Sequence, residues 1–275
     1  MYDGYAPVYD AIGQGRYSAT MAARSLGWLA ERGAVARRVL DLACGTGEAA
    51  LVFAAAGCQV AGVDRSAQML AIARGKARDA GYPIELVQGD IRELRSIDHR
   101  SPTTDHRRRS RPVSRRPSVV GRQSSFDLVT CFADSLNYLT EDGDLDRVFA
   151  GAAGALRPGG YLICDINAAA EYASWDERDV VTHDGGDILV YNRLSYDPAA
   201  RLASGRIVWF AREIERWWRG EETHVERAWS DAEVSAALAG AGLRLDARLD
   251  VEGNAAAPDA RRVVYVAWRE QKQRI

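Results

Sequence analysis

An aspartate, two glycines and a second aspartate pose the first chemical question of this sequence. Asp41 lies in the apolar run Val39-Leu40-Asp41-Leu42, Gly45-Thr46-Gly47 follows it, and Asp64 ends a second apolar run. Glycines just past a strand let a ligand approach the backbone, and a helix opening there offers free N–H groups and partial positive charge. An acid at the end of the next strand, about 20 residues on, can accept hydrogen bonds from both hydroxyls of a ribose. Both features belong to one crevice at the carboxyl ends of adjacent strands, where open α/β sheets bind their ligands.

Two nucleoside cofactors fit such a crevice. Gly45-Thr46-Gly47-Glu48-Ala49-Ala50 satisfies the dinucleotide pattern GxGxxA, which would make the chain an NAD-dependent oxidoreductase. A dinucleotide sets its pyrophosphate against this turn, where the Asp41 carboxylate would repel it. S-adenosylmethionine brings an ammonium and a sulfonium to the same place, and there the carboxylate is favourable.

These residues resemble the class I S-adenosylmethionine-dependent methyltransferases. Asp41-Leu42-Ala43-Cys44-Gly45-Thr46-Gly47 matches the glycine-rich first motif of that family and Val63-Asp64 its acidic second motif. Gln88-Gly89-Asp90-Ile91 is similar to the third, and Leu156-Arg157-Pro158-Gly159-Gly160 to the turn before the fifth strand. The four motifs run in order over about half of the chain. The resemblance implies that Gly45 and Gly47 flank the methionine part of the cofactor, with Asp41 and Ala43 beside them. It implies further that Asp64, next to Arg65, holds the ribose, that Met69 packs on the adenine, and that Asp90 and Ile91 read the adenine edge. Read without the other motifs, Asp90 is a helix N-cap. The long basic tract after Asp90 departs from the family pattern.

Methyl transfer from a sulfonium is an in-line displacement, so the protein must exclude water and hold a nucleophile about 3 Å from the methyl carbon. The stretch Cys131-Phe132-Ala133-Asp134-Ser135-Leu136-Asn137-Tyr138-Leu139 follows the fourth strand and forms the rim between cofactor and acceptor. It resembles the corresponding segment of small-molecule methyltransferases, including the sugar amine and glycine N-methyltransferases. Asn-Pro-Pro-Tyr, carried by methyltransferases acting on nucleobases or protein glutamine, does not occur. Asn137 is a substrate contact or a turn residue, and Tyr138 stands beside it as a second catalytic candidate. Two histidines are candidate general bases: His183, which also reads as a turn residue before Asp184-Gly185-Gly186, and His224, which also reads as a solvent-facing strand residue. Phe132, Tyr9 and Tyr17 are aromatic candidates for closing over the cofactor, the two tyrosines from an N-terminal lid, or for ordinary packing on the sheet. Trp209, Trp217, Trp218 and Trp229 line a pocket, meet an oligomer partner or, for most of them, pack a sheet face.

The elements that must position these residues follow from periodicity. Between Val39 and Gly160, apolar runs alternate with amphipathic stretches, the pattern of stacked βα units. Strands are expected at Val39–Leu42, Gln59–Asp64, Ile84–Gln88, Phe126–Phe132 and Tyr161–Ile166. Helices lie between them: Glu48 to Ala56, ended by Gly57; one N-capped by Ser66; and one with the stripe Leu145, Val148, Phe149, Ala152 and Leu156, closed by Pro158-Gly159-Gly160. Three long alternating runs then succeed one another without helices, Ile188–Tyr196, Arg206–Trp217 and Thr223–Trp229, and predict an antiparallel extension. Ser230 and Glu233 form a capping-box signature for a helix ended by Gly242, before a closing strand pair at Leu243–Val251 and Arg262–Trp268. The expected fold is α/β and Rossmann-like: a mostly parallel seven-stranded sheet, helices on both faces, and an antiparallel extension inserted after strand five. One domain covers residues 1–275, with lid helices in 1–36, the cofactor core in 37–170, the substrate-side insertion in 180–230 and the closing elements in 231–275.

Composition narrows the partners. Residues 95–125 hold nine arginines against two aspartates, a local charge of +7 that leaves −9 on the rest of a chain whose net charge is −2. An acidic body is a poor partner for nucleic acid and favours a small-molecule acceptor. The tract itself has no Leu and no aromatic residue to build a core or stack bases, and is expected to be a flexible surface loop. The competing reading is a non-catalytic S-adenosylmethionine-binding protein recruited to RNA by these arginines. Cys44, Cys58, Cys131 and Cys164 lie in apolar runs without metal-ligand spacing, so buried free thiols and no metal are expected. With no leader-like N-terminus and no apolar stretch of about 20 residues, a cytoplasmic protein off the membrane is expected. The oligomeric state, monomer or homodimer, is left open.

Overall fold

Apolar residues on both faces of the central strands dictate a sheet covered on both sides. In the computed structural model, which describes residues 4–94, 126–175 and 178–270, two helices, α1 (Ala6–Ala11) and α2 (Arg16–Glu31), precede the sheet. Five strands follow with helices between them: β1 (Arg38–Leu42), α3 (Glu48–Ala55), β2 (Gln59–Asp64), α4 (Ala67–Asp79), β3 (Glu85–Gln88), β4 (Phe126–Cys131), α5 (Asp144–Ala155) and β5 (Leu156–Asn167). With β10 (Leu243–Leu249) and β11 (Arg262–Arg269) they form a seven-stranded sheet in the order β10-β11-β5-β4-β1-β2-β3. Pairings within β1 to β5 are parallel, and β11 runs antiparallel to both its neighbours. The connections diverge at β1, which has β2 on one side and β4 on the other. Such a switch point opens a crevice at the carboxyl ends of the strands.

Successive strand residues alternate between two cores. Val39, Val60, Leu128 and Ile163 pack with Met21, Trp28 and Leu29 of α2 and Phe53 of α3. Leu40, Leu42, Cys131 and Cys164 face the opposite way, onto Leu145, Val148 and Phe149 of α5 and onto α7 (Asp231–Gly240). The helix boundaries follow local chemistry. The Ser66 side chain accepts the Met69 N–H at the start of α4, and Ser230 and Glu233 form a complete capping box on α7. All four cysteines are free, three of them buried.

A second sheet, ordered β6-β7-β8-β9, sits between the short helix α6 (Ala169–Tyr172) and α7. Its strands are β6 (Arg178–Gly185), β7 (Ile188–Asp197), β8 (Leu202–Glu213) and β9 (Arg216–Arg227), each antiparallel to the next. The expected antiparallel extension is present, with three corrections. β6 was not expected, because it is an exposed edge strand whose sequence carries little apolar pattern. The run Arg206–Trp217 is not one strand: the chain reverses between paired Glu213 and Arg216, through Ile214 at φ +59 and Glu215. That turn has no Gly, Pro or Asn to announce it, and a β-branched residue in the left-handed region is exceptional. Finally, Pro158-Gly159-Gly160 does not close α5, which ends at Ala155. It bends the start of β5 through a bulge against β4, with Gly159 at φ +75.

The basic tract 95–125 lies outside the described residues. Among the described residues, no helix is long and apolar enough to cross a membrane.

Candidate cofactor and acceptor site

β1 delivers its carboxyl end into a turn that only small residues can form. Ala43 and Gly45 both sit at φ +52, and Gly47, at φ +83, begins α3. A side chain at Gly47 would come 3.0 Å from the Ala73 Cβ of α4, so glycine there allows α3 and α4 to close together. The turn's N–H groups are directed inward: Gly45 N donates to Asp64 Oδ2 at 2.8 Å, Gly47 N to the Cys44 carbonyl at 2.9 Å, and Cys44 N to the Val63 carbonyl at 3.0 Å. A pyrophosphate-binding turn must present such donors to its ligand, and these three are already engaged.

The two strand-end acids behave differently. Asp64 Oδ1 accepts the Ser66 N–H at 2.8 Å, so its carboxylate ties the glycine turn to the start of α4 while it lines the cleft. Burial raises its pKa, and the N–H bonds from Ser66 and Gly45 hold that rise back. Asp41 lies beneath the cleft lining. Its Oδ1 accepts the Thr130 hydroxyl at 2.8 Å, while Oδ2 is buried without a hydrogen-bond partner. Burial pushes its carboxyl up to about 7, the Thr130 bond opposing and the Asp64 charge adding. A buried carboxylate oxygen without a partner, beside a turn whose Cys44, Gly45 and Gly47 N–H groups are engaged, suits a ligand carrying positive charge better than a phosphate.

Above this floor opens a cleft of about 1000 Å³, part of it open to solvent. One wall carries Arg65, Met69, Asp90, Ile91 and Arg92; the other carries Phe132, Ala133, Ser135, Tyr138 and Leu139; Tyr9, Gly15 and Ser18 close it from the N-terminal helices. Asp90 is both a cleft residue and a cap. Its Oδ1 accepts the Arg92 backbone N–H and Nε, each at 2.9 Å, and Oδ2 accepts the guanidinium at 2.6 Å. The Arg92 bond lowers its pKa.

Of the residues singled out in the sequence, Tyr9, Ala43, Gly45, Asp64, Arg65, Met69, Asp90, Ile91, Phe132 and Tyr138 come together around this cleft. Asp41 and Gly47 are not among the lining residues, although Thr46 and Glu48 on either side of Gly47 are. Tyr17 is not among the lining residues. Its ring lies 4.6 Å from the Arg262 guanidinium, which pairs with Asp134 at 2.8 Å and with Asp165.

The catalytic candidates separate sharply. Asn137 is fully buried and is not among the cleft-lining residues: its amide donates to the Asn167 and Arg227 carbonyls and its Oδ1 accepts the Asn167 N–H. That side chain braces β5 and β9 against the rim, a role visible only once residues about 30 and 90 positions away are brought beside it. His183 lies on the edge strand β6, paired with Val190, and is neither in a turn nor at the cleft. His224 does not face solvent. It is 2 % exposed, with Nδ1 2.9 Å from the Tyr138 hydroxyl and Nε2 3.2 Å from Glu222 Oε2. The tryptophans divide as well. Trp209 and Trp229 are buried, whereas Trp217 and Trp218 are exposed at the β8–β9 end. Trp229 Nε1 donates to the carbonyls of Leu136 and Leu139 and so holds the rim in place from behind.

Arg92, Ser135, Glu48 and the Gly15–Ser18 roof line the cleft without a motif of their own in the sequence. Arg92 and Ser135 each adjoin a motif, and that adjacency was the available signal. Gly15 and Ser18 carry none, because only folding brings α2 over the cleft.

A methyltransferase-domain family profile matches residues 39–103. YqeM of Bacillus subtilis, which carries a methyltransferase name, is 27% identical over 249 residues, covering 89% of this chain and 87% of that protein. The dTDP-3-amino-3,4,6-trideoxy-alpha-D-glucopyranose N,N-dimethyltransferase of Streptomyces venezuelae is 27% identical over 90% of this chain and 93% of its own. In fold, the chain is similar to a S-adenosylmethionine-dependent methyltransferase from Clostridium acetobutylicum, with a TM-score of 0.76, 24% identity, and 98% and 99% of the two chains covered. Strand order, inward-turned glycine loop, acidic floor and relatives agree on a methyltransferase domain with the fold of the S-adenosylmethionine-dependent methyltransferases.

Proposed function

We propose that this methyltransferase acts on the amine of a small molecule. Support comes first from the enclosure. The cleft is walled by Tyr138 and Ser135, roofed by α1 and α2, and backed by the second sheet, a shape for a compact acceptor rather than a long polymer. The amine preference rests on the Streptomyces venezuelae relative, whose name specifies N,N-dimethylation of an amino sugar. The observation that carries the cofactor side is the unpartnered Asp41 Oδ2 beside a turn whose Cys44, Gly45 and Gly47 N–H groups are engaged.

In this reading Asp64 and Arg65 hold the ribose hydroxyls, Met69 packs on the adenine, and Asp90 with Ile91 reads its edge. Ala43, Gly45 and Gly47 leave room for the methionine portion, and Asp41 lends negative charge beneath it. Tyr9 and Phe132 exclude water, with Tyr17 holding Arg262 behind them, so residues 1–36 act as the lid and 180–230 as the acceptor-side wall. When bound, S-adenosylmethionine supplies an electrophilic methyl group, which the acceptor nitrogen takes with its lone pair as the carbon–sulfur bond breaks toward sulfur. The protein's own work is alignment, water exclusion and management of the acceptor's proton.

The test is incubation with isotope-labelled S-adenosylmethionine and a panel of amines, phenols and sugars that includes the dTDP-amino sugar named for the relative, with methyl gain read by mass. Methylated amines are the expected products. Methylation of phenols alone would overturn the amine reading, and thermal stabilisation by NAD in place of S-adenosylmethionine would overturn the cofactor side.

A further inference from the structure

Cofactor binding leaves unused a chain of three side chains on the acceptor wall. Tyr138 lines the cleft, its hydroxyl lies 2.9 Å from His224 Nδ1, and His224 Nε2 lies 3.2 Å from Glu222 Oε2. Glu222 is itself positioned, since its other oxygen accepts the backbone N–H groups of Gly4 at 3.1 Å and Tyr5 at 3.3 Å. A carboxylate can only accept, so Nε2 of the imidazole carries the hydrogen that faces Glu222. In the neutral ring that leaves the Nδ1 lone pair facing the Tyr138 hydroxyl. Burial lowers the histidine's pKa while Glu222 works against that, so the ring stands neutral and ready to take a proton on the side of the cleft.

We propose that Tyr138, His224 and Glu222 form a proton relay that deprotonates an acceptor amine arriving as its ammonium ion. This rests on the amine reading above and names the protonation state in which the acceptor arrives. An ammonium nitrogen has no lone pair and cannot displace a methyl group. In the relay, one acceptor N–H bond breaks and an O–H bond forms on Tyr138, while the phenolic proton passes to His224 Nδ1. The acceptor nitrogen keeps the electron pair, the tyrosine hydroxyl is restored, and the positive charge moves to an imidazolium beside the Glu222 carboxylate.

The surroundings favour a cation at both ends of that transfer. Asp134, on the rim, acts on His224 and on Glu226 of β9. Glu226 is buried and accepts the Tyr172 hydroxyl of α6 at 2.5 Å, and burial pushes its carboxyl up to about 8. Asp165 of β5 completes the acidic group, and Arg262 of β11 is its basic counterweight, paired with Asp134 and Asp165. With Arg262 offsetting Asp165, it is Glu222 behind the ring and Asp134 on the rim that favour an incoming ammonium and the imidazolium that replaces it.

The experiment follows methyl transfer to the dTDP-amino sugar, or to whichever amine of the panel turns over, across the pH range bracketing the acceptor's own pKa. Tyr138→Phe and His224→Gln are each expected to lose about 100-fold or more in kcat at neutral pH. KM for S-adenosylmethionine should hold, and the deficit should shrink as pH rises, because the amine then arrives already deprotonated. A side chain that merely braces the rim predicts the same deficit at every pH. A pH-independent loss, or an unchanged kcat in both variants, overturns the relay. Nitrogen NMR of histidine-labelled protein reads the ring without any acceptor: the Nε2–H tautomer is expected, and an Nδ1–H tautomer overturns the relay. If no amine in the panel is methylated, the amine reading falls, and the tautomer alone judges the relay.

Discussion

The two walls of the cleft are held by different kinds of bond. On the cofactor side, Asp64 reaches a backbone N–H 19 residues away and another two away, and Asp90 bonds the residue two positions on. On the acceptor side, Tyr138 meets His224 across 86 residues and Asp134 meets Arg262 across 128, side chain to side chain. A berth held mainly by local backbone bonds, with the Asp41–Thr130 pair reaching across 89 residues beneath it, is specified largely by a few neighbouring residues and serves one ligand. A wall made of long-range side-chain bonds depends on strands whose surfaces can change without altering the berth, so the acceptor can differ while the cofactor stays the same.

That contrast can be broken at either wall. Asp64→Ala should remove about 1.5–3 kcal/mol of S-adenosylmethionine affinity, the range for hydrogen bonds to a charged group, and loosen the glycine turn with it. Titration calorimetry showing full affinity would take Asp64 out of the berth. Gly220→Val strikes the other wall. A Cβ at Gly220 would stand 2.2 Å from the Trp209 ring, whose opposite neighbour is Tyr5 at 5.0 Å. Overpacking of this kind costs about 1–3 kcal/mol. The unfolding midpoint should fall and acceptor turnover with it, and a larger drop in cofactor affinity than in turnover would show the walls to be less separate than their bonding implies.

Asp41→Asn sharpens the comparison through pH. A carboxyl raised by burial to about 7 stabilises the fold in its protonated form, fully so below its unfolded value of about 4. That contribution disappears as pH rises through about 7. The ligand-free wild type should therefore lose stability across this interval, and Asp41→Asn should lose less, with the share of Asp64 remaining. A positive ligand favours the ionised acid, so wild-type affinity for S-adenosylmethionine should rise over the same interval and the variant's should rise less, a gap of about 1–2 kcal/mol at the alkaline end. Calorimetry at a series of pH values decides it, and parallel curves would remove Asp41 from the charge argument. The smallest effect is expected at Ile214→Gly, which relieves a β-branched residue at φ +59 that is 91 % exposed. It should raise stability by about 0.5–1 kcal/mol in a denaturant titration and leave both walls untouched.

Legibility in the sequence follows the same divide. The glycine turn, the strand-end acids, the Ser66 cap and the Ser230–Glu233 box were readable because each is a short-range arrangement with a fixed residue signature. The seven-stranded sheet was readable from alternation and from near-continuous apolar strands. β6 was not, since an edge strand with one weakly buried face carries little pattern, and the Ile214 turn was not, since it lacks the residues that usually make one. Asn137 and His224 stood out as polar residues in suggestive places, yet what they do depends on partners that only the folded chain supplies. Asn137 proved to be a brace, and His224 a buried ring between a tyrosine and a glutamate.

The hold of Gly4 and Tyr5 on Glu222 has a practical side for anyone preparing the protein. Both donors to that carboxylate come from the peptide backbone just ahead of α1, a stretch routinely trimmed or fused to an affinity handle. On the relay proposed above, clipping it would release Glu222 and leave the glycine turn intact, giving material that binds S-adenosylmethionine normally in a quality check and underperforms with an acceptor at neutral pH.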